Sequence, residues 1–368
     1  ARYQKLVPYV SHRSDLNYLI GEMIGELNCG HAYVWMPDEF DSERVGVGML
    51  GAQVEAAENG YFRIKRILRR LDWNDPDASA PLAAPAVNVK EGEYILAVNG
   101  VPMDAARNFY SWFQNLAGRD ITLTISSSGE EEDSREVVVT PIGSESSLYY
   151  TDWVEHNREW VNEHSGGRVG YLHVPNTSYW GIMEFSKGFY AQIHKEGLII
   201  DERYNGGGML PDMLISRLDR TVLSWWATRH GRVTRTPWNM VDGPMVMLVN
   251  EFAGSGGDAF PYYFQLSGLG PVVGTRTWGG LVGINNYFPC IDGSSVTVPA
   301  FGIINREGEW AVENYGIDPD VVVDNQPADL LRGYDEQLDT GLRLILEDLE
   351  QNPPSGWQRK PPPPRDRN

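Results

Sequence analysis

The sequence predicts an α/β protein: a mostly parallel core, an N-terminal helical segment, and a β-rich domain inserted between them. Three observations carry this prediction. From residue 167 onward, short wholly apolar runs alternate with helical patterns, the signature of a parallel sheet covered by helices. Residues 44–141 instead string short β-like runs between acidic or glycine-containing turns. Residues 15–27 place apolar side chains at Leu16, Leu19, Ile20, Met23, Ile24 and Leu27, the spacing of one helix face.

The first helix is expected over 15–27, capped by Ser14 or Asp15 and ended by Asn28-Cys29-Gly30, which leaves His31 in the turn beyond it. In the β-rich block, strands are expected at 60–68, 94–98, 121–125 and 136–140. Glu91-Gly92-Glu93-Tyr94-Ile95-Leu96-Ala97-Val98-Asn99-Gly100-Val101 joins a strand to a tight-turn signal. This run, with a helix expected over 105–116, resembles a PDZ domain, a fold that adds peptide ends to a sheet edge. In the core, strands are expected at 168–174, 197–200, 246–249 and 271–274, with helices over 179–194, 210–223, 259–267 and 339–349. The domain reading is therefore 1–43 as an N-terminal segment of the core, 44–143 as the PDZ-like domain and 144–350 as the core. Residues 351–368, with four consecutive prolines, read as a disordered tail.

Composition narrows the function classes. The chain has 368 residues, 42% of them apolar, with 12 Trp and 18 Tyr, which suits a large folded core rather than wholesale disorder. A net charge of -19 opposes nucleic acid and anionic membrane as partners. Two cysteines, Cys29 and Cys290, cannot build a disulfide framework or a cysteine-rich zinc site and point to a reducing, cytoplasmic setting. The scattered histidines lack ligand spacing, so neither a metal nor an organic cofactor is expected. No signal peptide or bilayer-length apolar run is expected, and the absent initiator methionine is compatible with a processed chain or a piece of a longer one.

The most informative stretch is 246–258. Val246-Met247-Leu248-Val249 stops at Asn250 and opens into Ala253-Gly254-Ser255-Gly256-Gly257-Asp258, with Pro261 tolerated in the first turn of the helix that follows. Strand, sharp turn, serine and helix N-terminus form the setting of an exposed nucleophile. The glycines let a carbonyl approach the main chain, and amides at the helix start favour developing negative charge.

A serine hydroxyl needs a base. No lysine lies between Lys195 and Lys360, and no histidine follows His230, which removes a downstream lysine and the Ser, acid, His order of an α/β-hydrolase. Of His12, His31, His156, His164, His173, His194 and His230, His173 reads as a packed strand residue and four others as solvated surface positions. His31, free in its glycine turn, is a better candidate than His12 beside Arg13. For oxyanion donors, Leu198-Ile199-Ile200 runs into Asp201-Glu202-Arg203-Tyr204-Asn205-Gly206-Gly207-Gly208, and neighbouring strand ends face one cleft. The amides of Gly208 and Gly256 could then hold an oxyanion together, each typically contributing about 3 kcal/mol to the transition state. For the acid that orients the histidine, Glu313 competes with Asp201, Glu202, Asp258 and Asp318, and spacing does not choose among them.

Taken together, Gly30-His31-Ala32-Tyr33, the PDZ-like block, the Asp201 to Gly208 run, Asn250-Glu251-Phe252-Ala253-Gly254-Ser255, Gly274-Thr275-Arg276-Thr277-Trp278-Gly279-Gly280 and Val312-Glu313-Asn314-Tyr315-Gly316 resemble the C-terminal part of the tricorn protease family. The resemblance implies a crotonase/ClpP-like core and a serine peptidase of short oligopeptides. It also implies Ser255 as nucleophile, His31 as base, Glu313 as the acidic member and the Gly208 and Gly256 amides as oxyanion hole. Cytosolic hexamers are implied as well. Carboxyl-terminal processing proteases share the arrangement but use a lysine where this chain has Gly280. The family's serine before the histidine is Gly30 here, so a relay from Glu313 to His31 needs a water, a neighbouring side chain or a direct contact. The acid that favours basic substrates in some members is absent from Ser224-Trp225-Trp226-Ala227. The family's β-propellers are also absent, so the chain reads as a fragment or a short relative. A non-catalytic peptide-binding protein is the alternative that Gly30 favours.

Overall fold

A computed structural model describes residues 2–35, 45–68 and 80–352. The chain forms two units, one from residues 1–39 with 157–368 and one from residues 40–156.

In the first unit the apolar runs become five parallel strands, Val169–His173, Gly197–Asp201, Met245–Val249, Val272–Gly274 and Val321–Val322, lying side by side in chain order. Leu172 pairs with Ile200, Ile200 with Met247 and Met247 with Val272. The first four strands are buried along their whole length, which is why their sequences do not alternate. Alternate residues still serve opposite faces. Leu172, Leu198, Ile200, Met245, Met247 and Val249 cluster with Phe185 and Phe189 of the Tyr179–Ala191 helix, Leu214 and Leu218 of Pro211–Leu218, and Phe260 and Phe264 of Gly256–Leu266. On the other face the helix Glu336–Gln351 lies close enough that a Cβ on Gly341 would meet Leu248 Cδ2 at 2.9 Å and Val246 Cγ1 at 3.4 Å. Each buried Leu, Ile or Phe here contributes about 1.5–3 kcal/mol. This packing fixes the carboxyl ends of the strands, from which segments 174–178, 202–208, 250–255 and 275–280 emerge.

The second unit is antiparallel. Ala52–Ala56, Phe62–Ile67, Tyr94–Val98, Ile121–Ser126 and Arg135–Val139 follow one another across the sheet, with Val101–Pro102 paired to Tyr94–Val98. Asn99 and Gly100 both have positive φ, 49° and 74°, as the expected tight turn requires. Ile64, Ile95, Leu123, Ile125 and Phe113 form its core.

Several expectations are corrected. The helix expected over 105–116 shrinks to a 3₁₀ stretch, Phe109–Phe113, capped by Asn108. Aromatic-rich sequence with low helix propensity sinks Phe109 and Phe113 into the core, and Asn115 leaves helical space with φ 57°. The first helix is Arg13–Gly25, its N-cap is His12, and Asp15 accepts from the Ser11 and His12 amides rather than capping as the first residue. Its apolar stripe is only partly buried: Leu16, Leu19, Ile20 and Ile24 are half-buried, while Met23 is 47% and Leu27 68% exposed. Other helix and strand bounds agree within a few residues. The sequence reading missed the long helix Ser146–His164, the hairpin Ser224–Ala227 with Val233–Thr236, and the ribbon Gly283–Pro289 with Ser295–Phe301, which Val34–Trp35 joins. The proline-rich tail from 353 lies outside the described residues. Among the described residues no helix is long and apolar enough to cross a membrane.

Candidate active site

Ser255 stands where the buried Met245–Val249 strand turns into the Gly256–Leu266 helix, with φ 58° and ψ -117°. Such a conformation is strained for a residue with a Cβ and persists only where its surroundings impose it. Asp258 is the main restraint. Its fully buried carboxylate accepts from the Ser255 amide at 2.8 Å, Thr277 Oγ1 at 2.5 Å, and the amides of Gly279 at 2.8 Å and Gly280 at 3.2 Å. Burial raises this carboxyl above its ordinary pKa, against the pull of those four donors. Ser255 O accepts from the amides of Asp258 and Ala259. In the trans peptide that joins Ser255 to Gly256, the Gly256 N–H therefore points the opposite way, out of the helix start.

The glycine run after Asp201 is brought against this turn. A Cβ on Gly207 would lie 2.7 Å from Ser255 Cβ, and one on Gly256 would lie 2.7 Å from Gly208 N. Only glycine admits that approach, and Gly207 and Gly208 also have φ of 83° and 144°. The buried Asn205 shapes the run: its Oδ1 accepts from Gly207 N at 2.8 Å, its Nδ2 donates to Val174 O at 3.1 Å, and its carbonyl accepts from Gly254 N at 3.1 Å. Among the described residues, neither the Gly208 nor the Gly256 amide donates to an acceptor.

His31 reaches the same place through Trp278. The two rings meet edge to face with centroids 5.5 Å apart, while the Trp278 ring covers Gly254, where a Cβ would stand 2.6 Å from Cε3. The His31 backbone, at φ 57°, is held by Thr297, whose Oγ1 donates to His31 O at 2.7 Å and accepts from Tyr33 N at 2.7 Å. Nδ1 of His31 is buried and has no hydrogen-bond partner.

Glu313 binds the main chain at Gly30, the residue that precedes His31. Its Oε1 accepts from Gly30 N at 2.6 Å, and its Oε2 from Leu281 N at 2.7 Å and Val282 N at 2.9 Å. It does not hydrogen-bond His31. A Cβ at residue 30 would sit 3.0 Å from Glu313 Oε1 and 3.0 Å from Gly280 Cα, so the absent side chain lets carboxylate and loop close on the main chain. Beside this contact a cavity of about 350 Å³ is lined by Cys29, Gly30, Trp278, Gly279, Gly280 and Asn314, among others.

The competing acids are engaged elsewhere. Burial works to raise Asp201, but the Arg203 guanidinium overrides it and holds the carboxyl below its ordinary value; Tyr171 also donates to it at 2.8 Å. Asp318 binds Arg276 and the Tyr315 hydroxyl at the surface. Glu202 is fully buried with both oxygens unpartnered, and burial, reinforced by the charges of Asp258 and Asp201, pushes its pKa well up. His173 is buried with Nε2 2.8 Å from Arg203 O, as a packed strand histidine should be. Among the described residues no three His, Cys, Asp or Glu side chains are grouped to hold a metal.

The arrangement suits acyl transfer. A serine on a strained turn packs against the glycine run, two amides there lack protein acceptors, and Trp278 touches both His31 and the Gly254 that precedes the serine. The sequence reading missed the parts played by Asn205, Trp278 and Thr297. Only Asn205, immediately before a glycine run, carried a local signal.

Comparison with known proteins accounts for both units. Residues 168–323 match the model of peptidase family S41, and residues 48–144 match the tricorn protease PDZ domain. Tricorn protease homolog 1 of Streptomyces coelicolor is 39% identical over 352 residues, covering 96% of this chain and 33% of that protein. The tricorn protease of Thermoplasma volcanium is 32% identical over 349 residues, covering 95% of this chain and 34% of the relative. The crystal structure of the tricorn protease superposes with a TM-score of 0.86 at 32% identity, over 95% of this chain and 34% of that one. The chain thus spans about a third of the length of these relatives. Carrying the PDZ and peptidase segments in one order, the chain is similar over nearly all of its length to about a third of each of these tricorn proteases.

Proposed function

We propose that this chain is a serine peptidase that hydrolyses short peptides through an acyl-enzyme. Ser255 is the nucleophile, His31 its general base, and the Gly208 and Gly256 amides receive the oxyanion of the tetrahedral intermediate. The observation that carries the reading is the close approach of the Gly207–Gly208 and Ser255–Gly256 segments, which brings two acceptor-free amides beside a strained serine. A merely structural turn has no reason to keep both strain and unpaired donors, which disfavours the non-catalytic binding protein.

Glu313 is the acidic member and acts through the turn. By holding Gly30 N it fixes the segment that carries His31, and its charge lies near the imidazolium that forms when Ser255 gives up its proton. In place of a serine relay, Glu313 reaches His31 through the Gly30 main chain, and the buried Nδ1 of His31 has no hydrogen-bond partner. We read residues 1–43 and 144–350 as one crotonase/ClpP-like core and 44–143 as an inserted PDZ-like domain that helps hold peptide. Hexameric assembly in the cytosol completes the proposal.

The test is a mixed peptide library incubated with wild type, Ser255→Ala and His31→Ala, with products read by mass spectrometry. Cleavage by wild type alone is expected. Equal product from Ser255→Ala overturns the reading.

A further inference from the structure

Segment 174–178, at the carboxyl end of the first parallel strand, carries a threonine with no part in the chemistry described so far. Thr177 is fully buried, and its hydroxyl has no hydrogen-bond partner. Its main chain is fully engaged: Thr177 N donates to Gly207 O at 2.9 Å, and Thr177 O accepts from Leu210 N at 3.0 Å. Gly207 C=O and Gly208 N–H belong to one trans peptide and point in opposite directions. The bond from Thr177 to Gly207 therefore aims the Gly208 amide.

The side chain bears on the other donor. A Cβ built on Gly256 would fall 2.1 Å from Thr177 Oγ1 and 2.4 Å and 2.7 Å from Gly208 O and N. The hydroxyl thus rests against Gly256 Cα in the angle between the two amide-bearing residues. An oxygen approaches a Cα–H more closely than a methyl does. Packing alone would favour valine, which has the same shape and no buried hydroxyl to leave unpaired.

We infer that Thr177 is the positioning residue of the oxyanion pair: its amide aims Gly208 N–H, and its hydroxyl sets the distance between Gly208 and Gly256. The inference rests on the peptidase reading. A methyl at that place pushes Gly256 away from Gly208 and separates two donors that must meet one oxygen.

The experiment compares wild type, Thr177→Val, Thr177→Ser and Thr177→Ala for kcat, KM and inhibition by a peptide aldehyde, whose hemiacetal oxygen occupies the oxyanion position while bound substrate does not. Thr177→Val is expected to lower kcat on the order of 30-fold. Aldehyde affinity should fall in parallel, with KM within about threefold of wild type. Thr177→Ser, which keeps the oxygen, is expected to restore most of both. If Thr177→Val does not fold, Thr177→Ala serves, with kcat and aldehyde affinity expected to drop together. A folded Thr177→Val or Thr177→Ala with wild-type kcat, or with KM and aldehyde affinity weakened equally, overturns the inference. Ser255→Ala run alongside separates the cases, since residual activity there defeats the peptidase reading itself.

Discussion

Gly256→Ala sets helix propensity against the geometry of the proposed oxyanion site. Gly256 opens its helix without a positive φ, so alanine is conformationally welcome, and helix propensity favours it by up to about 1 kcal/mol. The new methyl, however, would lie 2.1 Å from Thr177 Oγ1, 2.4 Å from Gly208 O and 2.7 Å from Gly208 N, where ordinary contact begins at 3.4 Å. Two of these three neighbours are backbone atoms of a loop already tied by Asn205 and Thr177, so relief demands a main-chain shift of about 1 Å. Overpacking of that kind destabilises by about 1–3 kcal/mol, which outweighs the propensity gain. The same shift pulls the two amides apart, and a misplacement of this size, or the loss of one oxyanion donor, lowers kcat about 100-fold or more. Steady-state kinetics on a fluorogenic peptide, with melting temperature measured in parallel, test both halves. A variant that melts as wild type does and keeps kcat within about threefold would refute the proposed meeting of the two amides.

Glu202→Gln tests the buried, unpartnered carboxyl of Glu202. Burial and the neighbouring Asp258 and Asp201 raise the folded pKa, so wild-type stability is fully present below about pH 4.3, the value of an ordinary glutamate, and drains by about 1.4 kcal/mol per pH unit until the folded pKa is passed. The glutamine variant should melt higher than wild type at pH 8 and converge with it near pH 4; parallel pH curves would contradict this. Arg203→Met tests the clamp between the oxyanion loop and the closing helix, where one buried guanidinium binds Asp201, Asp335 and Gln337. Stranding the buried Asp201 carboxylate should lower unfolding free energy by about 3–5 kcal/mol in urea titration, and a change under about 1 kcal/mol would count against the network.

The core was legible where physics leaves a local trace. Wholly apolar runs such as Met245–Val249 announce strands buried on both faces, and Ser255 and Gly208 stand out because strand ends are followed by glycine. The first helix shows the limit of periodicity, for its stripe is real but Met23 and Leu27 are exposed. The Ser224–Ala227 hairpin escaped notice because it is short and exposed on both faces, leaving neither a strand nor a helix period to read. Among the acids, Glu313 could be preferred only by resemblance. What places it is a bond to Gly30, a contact between residues far apart in the chain. Thr177 was invisible for the same reason: its neighbours are set by strand order, not by sequence distance.

Covalent labelling at Ser255 tests the central claim most directly. The full chain is treated with a fluorophosphonate, digested, and the site of phosphonylation mapped by mass spectrometry in wild type, Ser255→Ala and His31→Ala. A single adduct on Ser255 in wild type, none in Ser255→Ala and a rate reduced at least about 100-fold in His31→Ala are predicted. Unreactive Ser255 in the folded wild type, or equal labelling of all three proteins, would contradict the account.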